Sequence, residues 1–173
     1  MTLARYPALE PILDKIVLQP SAVRRMAAMK RSSNLVMMKG VFDLFHIGHL
    51  ISLASGASLG DSLVVAVATD ESVRQRKGPT RPIVPMEYRA AIISALPFVT
   101  AVTSYGSYSP YNAVRSLRPH FFAASHFRYF SDEERLALKE LGVTLTVLDR
   151  PAVPSTSDIV QRIMASNQGV GGQ

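Results

Sequence analysis

The chain has no cysteine. A disulfide scaffold and a thiolate metal cluster are therefore excluded. Histidine is scarce too: beyond His46 and His49 there are only His120 and His126. A zinc site on the first pair would lack a third ligand, so no metal-ligating residue is expected. No apolar run approaches the ~20 residues of a membrane span. The opening MTLARYPALEP lacks the long apolar core of a secretory signal. These absences point to a cytoplasmic protein with no membrane partner. No thiol and no Ser-His-Asp pattern suggests a covalent nucleophile, and no internal repeat is visible.

What is present is a chain of 173 residues, 47% of them hydrophobic, enough for one domain with a good core. The formal charge is +6. Its cations do not form one block. They fall at Arg24, Arg25, Lys30 and Arg31, and again at Arg74, Arg76, Lys77 and Arg81. Without aromatic residues interleaved among them, a polyphosphate small molecule is favoured over nucleic acid.

The rest of the chain is organised around Gly40 to His49, read as GVFDLFHIGH. A short apolar run, Leu35 to Met38, suits a buried strand before it, and Leu50 to Ala57 suits a helix after it. His46 and His49, three apart, share one face of that helix's first turn. Helix N-termini carry unpaired N–H groups and partial positive charge, and Gly48 lets a ligand approach the backbone closely. The simplest use of the arrangement is a phosphate held by two imidazoles and a helix end. The bare spacing could equally be two ordinary histidines; the strand, glycine and helix around it favour the site.

Five β-rich segments alternate with helices. After Leu35 to Met38 come Ser62 to Thr69, Phe98 to Ser104, His120 to Ala124 and Val143 to Leu148. The pattern predicts an α/β fold: a Rossmann-like, doubly wound, five-stranded parallel sheet of order 3-2-1-4-5. Residues 1–33 are expected as an N-terminal helical extension, with Leu9, Ile12, Leu13 and Ile16 at helical spacing. Residues 34–165 form the main domain and 166–173 a frayed tail. Asp70, ending the second strand, either contacts substrate or caps the next turn. Residues 74 to 85 (RQRKGPTRPIVP) read as a cationic loop able to close over a triphosphate, with Arg76 and Lys77 as candidates. Arg89, on a helix from Met86 to Leu96, faces either solvent or site. His126 stands at the carboxyl end of the fourth strand, where ligands gather in such sheets. Ser155, Thr156 and Ser157 start the last helix and offer a second phosphate cradle.

The HIGH tetrapeptide within GVFDLFHIGH resembles the HxGH signature of the nucleotidyltransferase superfamily, particularly its cytidylyltransferase-like members. The likeness runs from about Leu35 to Met164. The segment RPAVPSTS resembles RTEGISTT or RTEGISTS of the glycerol-phosphate and choline-phosphate cytidylyltransferases. KGPTRPIVPMEYR and ALPFVTAV are instead similar to the heptose-phosphate adenylyltransferase domain. The resemblance implies His46 and His49 at the α-phosphate, with Lys77 as a catalytic cation. It implies Arg150, Ser155, Thr156 and Ser157 against the nucleotide and Lys77, or Arg76, at the triphosphate or acceptor; Val41, Phe42 and Gly48 are expected beside the nucleotide, and Asp70, Arg76, Lys77, Arg89 and His126, placed at or near the ligand edge, are expected towards the acceptor. It also implies Mg²⁺ and a homodimer. The expected reaction is transfer of CMP from CTP to a small phosphorylated or phosphonate alcohol, releasing pyrophosphate. The alternatives are adenylyl transfer from ATP to a heptose-type sugar phosphate, or a nucleotide-binding module without turnover. One departure stands out. The fourth strand ends in AASHF, where cytidylyltransferases carry an acidic GDDW or AHDD and the adenylyltransferase domain KGGDY.

Overall fold

The computed structural model describes residues 3–19, 22, 23, 25, 28, 34–106, 111–126, 130–149 and 152–168. Five strands form one sheet: β1 Leu35–Gly40, β2 Ser62–Ala68, β3 Val99–Tyr105, β4 Phe121–Ala124 and β5 Thr144–Val147. Their order is β3-β2-β1-β4-β5, and every pairing is parallel. This is the Rossmann-like topology the alternation predicts.

β2 is buried along its whole length, because a parallel sheet has helices on both faces. On one face Val36, Met38, Val65 and Val67 pack against Leu53 of α2 (Ile47–Ala57) and Ile93 of α4 (Met86–Ser94). On the other, Met37, Val64, Ala66 and Phe122 meet three helices. These contribute Val73 of α3 (Asp70–Lys77), Val114 of α5 (Tyr111–Leu117) and Leu138 of α6 (Asp132–Glu140). The last helix, α7, is Thr156–Gln168, so residues 166–168 expected in the tail are helical.

Two expectations are corrected. Among the described residues the N-terminal segment is helical in short pieces, the 3-10 turns Leu3–Arg5 and Pro7–Leu9, α1 (Glu10–Leu13) and positions 22, 23, 25 and 28, but the helix does not reach Ile16. Ile16 instead bridges Val102 in parallel, flanked by Val17 N–H to Val102 O and Val102 N–H to Lys15 O, each 2.8 Å. β3 is an edge strand with open hydrogen-bonding groups, and pairing there outweighs the helical spacing. Second, Arg74, Arg76 and Lys77 are helical, not in a loop. α3 has little apolar periodicity to betray it. It is held by end effects: Thr69 caps its start, accepting from Ser72 N at 3.3 Å, with Asp70 and Glu71 in the first turn and the three cations in the last. Gly78, at φ +94, ends it.

Candidate active site

At the carboxyl end of β1 the chain turns sharply before entering α2. Phe42 and Leu44 both take positive φ, 56° and 48°. The turn lays the Phe42 ring over Gly40, where a Cβ would sit 2.6 Å from it. Asp43 is buried beneath this turn. Its carboxylate accepts from Ile83 N at 3.0 Å and Val84 N at 2.9 Å and pairs with Arg81 at 3.1 Å. Burial works to raise the Asp43 carboxyl, but the two amides and Arg81 outweigh it and hold it below the ordinary range. The segment after α3 is thus tied to the turn rather than free to close as a lid.

His46 is the N-cap of α2, and its Nδ1 accepts from Gly48 N at 3.1 Å. That bond places the proton of the neutral ring on Nε2, directed outward. His49 stacks beside it with ring centroids 3.9 Å apart. Phe42, edge-on at 5.4 Å, and Phe45 at 5.7 Å hold the His49 ring from its other sides. His49 Nδ1 is closed off and has no hydrogen-bond partner among the described residues, which leaves Nε2 for the cleft. Burial first, then the nearby His46 and Lys77, push its pKa down to about 4, against the opposing pull of Asp43. Burial lowers His46 as well. Both imidazoles are therefore neutral hydrogen-bond donors near pH 7.

His49 opens onto a cleft of about 330 Å³. Its floor is Gly40, Val41 and Phe42, and Thr156 closes one side. Thr156 Oγ1 donates to Asp43 O at 3.0 Å, tying the start of α7 to the turn. The lining is also cationic, with Lys39, Arg76 and Lys77 beside Tyr105. Burial and the neighbouring Arg76 and Arg81 lower the Lys77 pKa. Ala124 and Ser125, ending β4, complete the rim, so the histidine motif and the fourth strand meet across the cleft.

Other expected site residues lie elsewhere. Arg89 is 1% exposed and donates to Val84 O, Ala68 O and Val41 O while pairing with Asp70 at 2.6 Å. It is an interior brace, facing neither solvent nor cleft. Asp70 also accepts from Met86 N at 2.9 Å, so its carboxylate joins α3 to α4. Ser155 is engaged with Asp158, donating from both its backbone N–H and its hydroxyl to Asp158 Oδ2 at 2.7 Å, and Ser157 is exposed. Of that hydroxyl run only Thr156 lines the cleft. His126 is exposed at the end of β4, and Arg150 lies outside the described residues. Sequence reasoning missed Lys39, Tyr105 and the anchoring role of Asp43. A lysine within an otherwise apolar strand, one residue before GVFD, was the available signal for the first.

Residues 37–167 match the cytidylyltransferase-like family. The chain belongs to that family. It is 38% identical over 140 residues to the bifunctional protein HldE of Aeromonas hydrophila, covering 79% of this chain and 29% of that protein. The bifunctional protein HldE of Shigella flexneri serotype 5b is 34% identical over 146 residues, covering 83% and 30%. The chain thus spans about three tenths of the length of these curated relatives. Among solved structures, a lipopolysaccharide core biosynthesis protein from Thermoplasma volcanium superposes with TM-score 0.59 at 30% identity, over 70% of this chain and 98% of that one. A pantoate-beta-alanine ligase from Francisella tularensis, at 12% identity and TM-score 0.56, shares the fold.

The donor set does not fit a protein-held Mg²⁺. The cleft presents lysine, arginine and imidazole, and the Asp43 carboxylate is engaged by Arg81 and two amides. Among the described residues no three His, Asp or Glu side chains converge. Such an ion would come on the oxygens of a triphosphate. Among the described residues no helix is long and apolar enough to cross a membrane.

Proposed function

We propose that this protein transfers AMP from ATP to a phosphate oxygen of a small, heptose-type sugar phosphate, releasing pyrophosphate. The observation that carries nucleotidyl transfer is the stacked His46–His49 pair at the N-terminus of α2, with His49 lining one cleft together with Lys39, Arg76 and Lys77. The similarity to bifunctional HldE supports adenine over the cytosine expected first, together with the KGPTRPIVPMEYR and ALPFVTAV segments.

In this reading the acceptor oxygen attacks the α-phosphorus in line and forms the new P–O bond. The bond from that phosphorus to the bridging oxygen breaks, and pyrophosphate leaves with the electron pair. Neutral His49 and His46 donate hydrogen bonds to oxygens that gain charge in the transition state. Lys77 offsets charge on the departing phosphates. A bound polyanion raises the imidazole pKa values towards their ordinary range and strengthens these bonds.

The test is pyrophosphate release from ATP, CTP, GTP or UTP with Mg²⁺ and a panel of sugar 1-phosphates, glycerol 3-phosphate and phosphonates. Release with ATP and a sugar phosphate is expected. Preference for CTP would restore the cytidylyl reading, and nucleotide binding without release under any pairing would leave a binding module.

A further inference from the structure

The cleft holds a second charged group that the histidine motif does not use. Lys39 lies near the end of β1, its side chain 11% exposed. The register pairing Met38 with Ala123 sets it beside Ala124, one residue before Ser125. Its ammonium is 4.5 Å from the Phe130 ring. Its carboxylate partner, Glu134 of α6, is 3.5 Å away, beyond a good charged hydrogen bond. The other Glu134 oxygen accepts from Ser131 N at 2.8 Å and completes the capping box of α6. Arg76 stands close enough to act on Lys39 as a like charge. It is steadied by Nε–H to Ser72 O at 3.1 Å and by the Tyr105 ring at 5.9 Å. Lys39, ion-paired with Glu134 at 3.5 Å, and its neighbour Arg76 thus set two cations together in a largely desolvated part of the cleft, an arrangement that favours an incoming anion.

We propose that Lys39 and Arg76 form the acceptor-phosphate subsite, Lys39 exchanging its loose contact with Glu134 for the acceptor's anionic group. The identity of the ligand rests on the nucleotidyl-transfer reading; the anion site does not. Lys39 determines acceptor specificity, and its effect falls on acceptor binding and not on the nucleotide.

Calorimetry on the folded protein tests this, with inorganic phosphate titrated into protein saturated with α,β-methylene-ATP. Lys39→Met is expected to weaken phosphate binding about 10-fold or more, and Lys39→Arg to keep most of it. Glu134→Gln, which preserves the capping box, is expected to tighten it several-fold. A parallel titration with α,β-methylene-ATP alone should not change in Lys39→Met. The proposal is overturned if Lys39→Met binds phosphate like the wild type, if it loses the nucleotide analogue instead, or if the wild type takes up no phosphate. Failure of the nucleotidyl-transfer reading is distinct: no pyrophosphate release by the wild type with any acceptor, whatever the phosphate titration shows.

Discussion

The two ends of the cleft are built differently. The imidazole end is local: Gly40, Phe42, Asp43, His46, Gly48 and His49 come from one strand–turn–helix, and the backbone sets their geometry. Its rings are neutral, stacked and walled by phenylalanines. The cationic end is tertiary. Lys39 comes from β1, Arg76 and Lys77 from α3, Tyr105 from β3 and Glu134 from α6. Fixed hydrogen-bond donors suit the reacting phosphorus, where small misplacement is costly. Long, loosely paired cations suit a substrate group that must arrive and leave. Under the proposed function, the imidazoles with Lys77 serve the chemistry, and Lys39 with Arg76 serves recognition of the acceptor.

Asp43 links the two, so removing it should have the largest effect. Asp43→Ala leaves the Ile83 and Val84 amides and Arg81 without their acceptor. The expected loss is about 3 kcal/mol of stability, read from urea unfolding. A loss below about 1 kcal/mol would mean that water replaces the carboxylate and the anchor is unimportant. His49→Ala comes next. It should stay folded, bind ATP, and release pyrophosphate ~100-fold more slowly or worse. Near-normal turnover would remove the imidazole end from the chemistry.

A pH titration sharpens the contrast, because the imidazole end holds a buried histidine whose burial opposes protonation. Burial holds His49 neutral in the fold down to about 4, whereas an unfolded imidazole takes its proton near ~6.5. Between those values the unfolded chain binds more protons. The stabilisation is full above ~6.5 and is lost as pH falls towards 4. From pH 7 to 5 the wild type should lose up to about 2 kcal/mol more than His49→Gln. Equal losses in chemical unfolding at the two pH values would show that the ring is not desolvated.

How much of this was legible in the sequence follows from the same contrast. Strand order and the histidine site rest on contiguous patterns, apolar runs and a motif within ten residues, so they could be read directly. α3 could not, since its stabilisation lies in a Thr69 cap and graded charge rather than in an apolar stripe. Arg89 reads as a surface cation on a helix, yet three carbonyls and Asp70 satisfy it inside; such partners come from turns and strands distant in sequence. Lys39 and Glu134 are 95 positions apart in the numbering, and no local period connects them.

The smallest effect expected comes from one methyl group at the imidazole end. Gly48 is buried within α2, and an added Cβ would lie 2.9 Å from the His46 ring and 2.9 Å from Val153 Cγ2. Alanine suits the helix backbone itself better than glycine, so Gly48→Ala should leave unfolding within about 1 kcal/mol of wild type. The His46 ring has to give way, and with it the hydrogen bond that fixes its tautomer. A displacement of a few tenths of an ångström at a transition-state donor should lower kcat by roughly 10-fold, leaving phosphate binding at Lys39 unchanged. If kcat stays and acceptor affinity falls instead, the imidazole end recognises the acceptor, and the roles of the two ends are reversed.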